Sequence, residues 1–293
     1  MKQAVELVHE ATEILTQVGI DSAHVDASIL LASVMKVERS QLSPFAEIPL
    51  VQAATFQELV HQRATRIPLQ HLTGEAHFRH ITLKVGAGVF VPRPETELLV
   101  EAGIGLLSKV DPPRIAVDLC SGSGAIALSL ACEVPHTTVY AVEQSPEAFT
   151  WLKTNVEAHH DELEKMCSSV KFIHGDATDL GLLSDLVGTV DVVLSNPPYI
   201  PDAMIPRDPE ARDYDPAMAL FGGPDGLDVA RGVVRVAQML LKPGGLFGME
   251  HADVQGESVP ALLDEMGDWT QVEDHLDYNK LPRFTTATRS VTE

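Results

Sequence analysis

The sequence has little that suits a membrane, a disulfide framework or a metal site. No window approaches the roughly 18 uninterrupted apolar residues of a membrane span. The opening stretch MKQAVELVHEATEIL carries acids where a signal peptide has an apolar core, so a cytoplasmic protein is expected. Its 3 cysteines, Cys120, Cys132 and Cys167, form no CxxC pair and are odd in number, which supports neither disulfides nor a zinc knuckle. The 12 histidines include no HExxH or similar ligand spacing, and no metal is expected. His77 and His80 flank a hairpin pattern and are expected on its surface. Basic residues are scarce, 21 against 42 acidic ones in 293 residues. The excess is uneven: residues 1–85 hold 7 basic and 9 acidic side chains, residues 86–293 hold 14 and 33. Such a field repels nucleic acid phosphates and attracts basic partners.

Two rhythms divide the chain. Over residues 1–72 the stretches AVELVHEATEILTQVG, DSAHVDASILLASVM and PLVQAATFQELVHQRATR repeat apolar positions at three and four, with Gly19 placed as a C-cap and Asp21 and Ser22 as N-caps. A small helical bundle is expected there. Residues 73–93 alternate apolar and polar positions between glycines and read as a hairpin linker. From residue 94 strand and helix patterns alternate to residue 293, with strands expected near 115–120, 138–143, 170–174, 190–195 and 245–250 and a final pair near 270–276 and 284–289. This rhythm predicts an α/β fold, a Rossmann-like doubly wound sheet of seven strands with ligands at the carboxyl ends of the strands. The irregular stretch 201–226, rich in proline, glycine and acids, is expected to be a substrate lid.

The candidate chemistry sits where strands end. In VDLCSGSGAIAL, Asp118 closes a strand and Cys120, Ser121, Gly122, Ser123 and Gly124 form a turn before a helix. Glycine lets the backbone approach a ligand, and the helix N-terminus offers free N–H groups to an anionic group. Alone this turn suits a nicotinamide or flavin cofactor, or no ligand at all, and the third glycine of the dinucleotide fingerprint is replaced by Ala127. Glu143 ends the next strand, about twenty residues on, where an acid accepts from the hydroxyls of a ribose. Asp176, in HGDA, ends the third and is placed to accept from an adenine amino group. SNPPYIP follows the fourth, VDVVLS; its prolines stiffen a shelf that carries the Asn196 amide and the Tyr199 phenol.

A glycine turn, an acid ending the second strand and NPPY ending the fourth resemble class I S-adenosylmethionine methyltransferases that act on planar amino nitrogens. VFVPRPETE, DLCSGSGAIAL, NPPYIP, FGGPDGLD, LKPGG and MEHADVQGE, in this order, are similar to the peptide chain release factor N(5)-glutamine methyltransferases, the HemK/PrmC family. The resemblance implies that Asp118, Cys120 to Gly124 and Glu143 hold S-adenosylmethionine, with Asp176 or Ala177 near its adenine and Asn196 beside it. It implies that Asn196, Pro197, Pro198 and Tyr199 hold the glutamine, with Asn196 and Pro197 catalytic through their carbonyls, and Arg93 is expected to line the pocket. The helical first domain matches the family's substrate-docking domain by pattern. Departures are Cys120 where glycine or alanine is usual, His71 in place of an aromatic, and DYNKLPRFTTA as a loose form of the family's C-terminal stretch.

The implied partners are class I peptide chain release factors, methylated on the glutamine of their Gly-Gly-Gln motif. No membrane and no stable nucleic acid partner is expected, and a monomer is. Two rival targets stay open at this point: a ribosomal protein glutamine, and adenine N6 in DNA, which shares NPPY but calls for a basic face that this chain lacks. A catalytically silent cofactor-binding module is a third reading, opposed by the intact glycine loop and Asn196.

Overall fold

Six consecutive buried residues, Val190 to Ser195, form the strand from which the fold is best understood. A run buried on both faces belongs inside a parallel sheet covered by helices. In the computed structural model, which describes residues 1–291, the chain forms two units: residues 1–75 with 206–214, and residues 76–205 with 215–291.

The first unit is helical. Helices Ala4–Gln17, Ala23–Met35, Leu50–Ala64 and Leu69–Thr73 bury Leu7, Leu15, Leu30, Leu31 and Phe56 together. Two short strands, β1 (Lys2–Gln3) and β2 (Glu47–Ile48), pair antiparallel and add an element that the helical periodicity does not signal. Gly19 follows the first helix at φ +75, as its C-cap pattern predicts. Ser22 stands at the N-cap of the second, yet its hydroxyl donates to Asp26 at 2.8 Å instead of accepting from the helix. Asp26 is thereby held for a buried cation: Arg63 Nε donates to it at 2.8 Å. The same guanidinium donates to Glu210 at 2.8 Å, and Arg66 reaches the other Glu210 oxygen at 2.9 Å. Helix Pro209–Tyr214 thus joins this unit through a buried ion network.

Starting at the boundary residue Glu75, β3 (Glu75–Phe78) and β4 (Ile81–Lys84) form the expected hairpin, whose Phe78, Ile81 and Leu83 enter the core of the second unit. His77 and His80 are exposed on it. The large sheet comprises β5 (Arg114–Leu119), β6 (Thr137–Glu143), β7 (Ser169–His174), β8 (Val190–Ser195), β9 (Leu241–Glu250), β10 (Trp269–Leu276) and β11 (Pro282–Arg289), in the order β10-β11-β9-β8-β5-β6-β7. The five strands from β5 to β9 run parallel, β11 is inserted antiparallel beside β9, and β10, antiparallel to β11, runs in the direction of the first five. β9 begins four residues earlier than GLFGME suggests, because a register irregularity against β8 absorbs the LKPGG segment.

Helices cover both faces. Thr96–Leu107, Ala125–Glu133 and Pro146–Ala158 bury one core, and Asp228–Leu240 and Ser258–Met266 bury the other. A central side chain such as Leu194, fully buried, would cost about 2–5 kcal/mol on truncation to alanine. Helix Thr96–Leu107 lies close on the sheet because glycine permits it: a Cβ on Gly103 would stand 2.9 Å from Leu194, and one on Gly248 would stand 2.7 Å from Leu99. The chain order reverses between β5 and β8, and at such a switch point the loops part to leave a crevice.

The stretch 201–226 is less irregular than its composition suggests. Prolines start helices well, and Pro209 and Pro216 stand at the beginnings of helices Pro209–Tyr214 and Ala217–Leu220. A bridge between Ile200 and Phe221 closes the excursion. Among the described residues, no helix is long and apolar enough to cross a membrane, and no cluster of metal-ligating side chains occurs.

Candidate active site

At the switch point a cavity of about 410 Å³ opens over the ends of β5, β6 and β8, within the range of small-molecule sites. The glycine turn forms one wall. Cys120, Ser121, Gly122 and Ser123 line it, while Gly124 stands behind them as the N-cap of helix Ala125–Glu133 at φ +89. Gly122, at φ +55, has open space where a Cβ would stand, so the backbone there is accessible to a ligand. Cys120 takes a left-handed conformation at φ +65, which disfavours a side chain and would suit glycine better than cysteine. Burial pushes its thiol up, with Glu143 and Asp118 adding to the shift, so it stays protonated at neutral pH.

Asp118 does not line the cavity. It is fully buried, and one carboxylate oxygen accepts from the Ala127 amide at 3.1 Å, bracing the turn against the helix. Burial pushes this carboxyl up to about 7. Glu143 does line the cavity, and it grips the loop: one oxygen accepts from Gly122 N–H at 2.8 Å and the other from Ser145 N–H at 2.7 Å. Burial raises its pKa, and these backbone donors oppose the rise. Each oxygen keeps a further lone pair. Asp176 and Ala177 form the far wall, where Asp176 accepts from the Thr178 amide and hydroxyl, both at 2.8 Å.

The NPPY shelf forms the opposite side. Asn196, Pro198 and Tyr199 line the cavity, and Pro197 does not. The shelf is clamped from below by groups that local pattern does not reveal. Gln255 donates to the Tyr199 carbonyl at 3.1 Å, and Ile200 N–H donates to the Leu220 carbonyl at 2.8 Å. Gly222, from FGGPDGLD, packs so tightly that a Cβ would stand 2.5 Å from the Pro198 carbonyl oxygen. Arg93 is not among the lining residues: its guanidinium pairs with Asp215 at 3.0 Å and stacks 5.1 Å from the centre of the Phe90 ring, and Phe90 meets the cavity in its place.

Two residues that the motif reading left without a role connect to Asn196, Thr96 directly and Glu250 through it. Thr96, in PRPETE, accepts from the Asn196 amide at 3.2 Å and donates to Glu250, in MEHADVQGE, at 2.6 Å. Glu250 is 1% exposed, and burial pushes its carboxyl up to about 7, opposed by Thr96 and Arg283. A carboxylate closing the apolar strand GLFGME was the available signal, the same one that singled out Glu143.

Comparison with known proteins agrees with this geometry. Residues 6–74 match the family model described as the PrmC N-terminal domain, and residues 94–205 match the Methyltransferase small domain. A 16S rRNA N2 methyltransferase from T. thermophilus shares the fold, with a TM-score of 0.52 at 22% identity over 73% of this chain and 49% of that one. Fold and site thus define an enzyme of the Rossmann-like methyltransferase class. A release factor glutamine methyltransferase of Streptomyces coelicolor is 46% identical over 287 residues, 97% of each chain. One of Bifidobacterium longum is 41% identical over 282 residues, 90% of this chain and 95% of its own. The chain belongs to the release factor glutamine methyltransferase family.

Proposed function

We propose that this protein transfers a methyl group from S-adenosylmethionine to the side-chain N5 of the glutamine in the Gly-Gly-Gln motif of class I peptide chain release factors. The observation that carries the reading is the meeting of the glycine turn and the NPPY shelf in one cavity. The residues fit the cofactor: open space at Gly122 admits its amino acid end, Glu143 has lone pairs for ribose hydroxyls, and Asp176 stands on the wall assigned to adenine. When bound, S-adenosylmethionine supplies an electrophilic methyl on a sulfonium.

The remaining task is alignment. A primary amide nitrogen is a poor nucleophile because its lone pair is delocalised into the carbonyl. The Asn196 side-chain carbonyl, on the cavity wall, accepts from the amide NH2, fixing the nitrogen and letting it pyramidalise. Such positioning contributes roughly 7 to 11 kcal/mol in favourable cases. Tyr199 packs its ring on the planar amide. The methylated nitrogen is cationic and strongly acidic, so water takes its proton and no dedicated base is required.

The excess of acidic side chains in residues 86–293 suits a basic, ribosome-associated protein substrate and opposes a DNA one. The test is methyl transfer from labelled S-adenosylmethionine to purified release factor, with a Gln→Ala variant of its Gly-Gly-Gln loop and a ribosomal protein in parallel. Label on the intact release factor alone is expected. Label on the ribosomal protein alone would move the target, and label on neither would sink the reading.

A further inference from the structure

Beneath the shelf a chain of hydrogen bonds ends on the Asn196 side chain. Thr96, 4% exposed, donates its hydroxyl proton to Glu250 Oε2 at 2.6 Å. A hydroxyl has one proton to give, so Thr96 meets Asn196 with a lone pair, and Asn196 Nδ2 donates to it at 3.2 Å. An amide has two ends with opposite roles. With its NH2 pinned on Thr96, the Asn196 Oδ1 remains as the acceptor turned elsewhere. The other Glu250 oxygen accepts from the Tyr199 hydroxyl at 3.4 Å, so one buried carboxylate underlies both functional ends of the shelf.

We infer that Thr96 and Glu250 are positioning residues of the methyl transfer: Glu250 sets the direction of the Thr96 hydroxyl, and Thr96 turns the Asn196 amide so that its carbonyl faces the substrate nitrogen. The inference rests on the proposed glutamine-binding role of Asn196. A flipped Asn196 would present NH2 to the substrate's NH2, two donors with no acceptor between them, leaving both unsatisfied in a closed site. Helix capping does not account for the Thr96 hydroxyl. The N-cap of helix Thr96–Leu107 is Glu95, no side chain caps it, and the Thr96 proton goes to Glu250.

The experiment compares the wild-type enzyme with Thr96→Val, which keeps shape and loses the hydroxyl, and Thr96→Ser, which restores the hydroxyl. Steady-state transfer to purified release factor is measured together with S-adenosylmethionine binding and melting temperature. Thr96→Val is expected to lower kcat on the order of 10- to 100-fold with cofactor binding nearly unchanged, and Thr96→Ser to recover most of it. Wild-type kcat in Thr96→Val, or a Thr96→Ser as slow as Thr96→Val, overturns the inference while the proposed function stands. Glu250→Gln provides an independent arm if Thr96→Val does not fold: its amide can donate toward Thr96 and reverse the hydroxyl, so kcat is expected to fall, and an unchanged kcat overturns the inference. No transfer to the release factor by the wild-type enzyme overturns the function and this inference together.

Discussion

The Ser195 hydroxyl donates to the Leu119 carbonyl at 2.7 Å, tying the last residue of β8 to the last residue of β5. The two residues are also register partners across the parallel pair. Each is followed directly by a functional loop, the glycine turn after Leu119 and NPPY after Ser195. The backbone ladder sets the spacing between the cofactor wall and the substrate shelf, and this bond fastens its last rung. Ser195→Ala leaves the buried Leu119 carbonyl short of a donor and is expected to cost about 1–3 kcal/mol, read as a lower denaturant midpoint.

Asn196→Ala is expected to remove nearly all turnover while S-adenosylmethionine affinity stays within a few fold. Titration calorimetry with the cofactor and a methyl-transfer assay on the same preparation check this. Normal turnover in that variant would sink the alignment mechanism.

Glu143 carries the opposite split. Its carboxylate holds Gly122 and Ser145 by backbone N–H groups and is the ribose acceptor of the proposed function. Hydrogen bonds to a charged group are worth about 1.5–3 kcal/mol each. Glu143→Ala is expected to weaken cofactor binding at least tenfold, measured directly by calorimetry.

Glu250 makes stability depend on pH in a defined direction. Its ordinary value of 4.5 is raised by burial to about 7 in the folded chain, so the folded state holds the proton more tightly than the unfolded one. Its contribution is most favourable below about 4.5 and is lost as pH rises through about 7. Asp118, raised from 3.8 to about 7, acts in the same sense. His251, lowered from 6.5 by burial, acts oppositely by favouring the fold as pH rises toward that value. The clean comparison is the melting temperature of wild type minus that of Glu250→Gln: this difference is expected to shrink as pH is raised from 6.5 to 8. A constant difference would show that Glu250 is charged throughout.

In the helical unit, Arg63 is 6% exposed and serves Asp26 and Glu210 at once. Burial pushes the Glu210 carboxyl up, yet hydrogen bonds with Asp208 and Arg63 outweigh it and hold the group well below the usual carboxylate range. Arg63→Met would leave two buried carboxylates without this partner. A loss of about 3–5 kcal/mol is expected, read in chemical denaturation. Because Glu210 lies on the excursion after NPPY, Glu210→Gln is expected to increase proteolysis within residues 206–214.

The sequence alone determined the architecture and the approximate position of the site. Strand and helix periods differ, alternating units wind a parallel sheet, and such a sheet exposes its strand ends at a switch point, so Gly122, Glu143, Asp176 and Asn196 could be placed together before any coordinate was known. Only the tertiary structure decided which partners hold them. Thr96 meets Asn196 because glycines at 103 and 248 let a helix settle close on β8 and β9, and Arg93 turns to Asp215 instead of lining the cavity. Helix Pro209–Tyr214 leaves a proline-rich stretch to join the helical unit, because Arg63 and Arg66 offer its Glu210 a buried ion pair. These choices depend on side chains far apart in the chain competing for the same few polar partners, and periodicity carries no record of that competition.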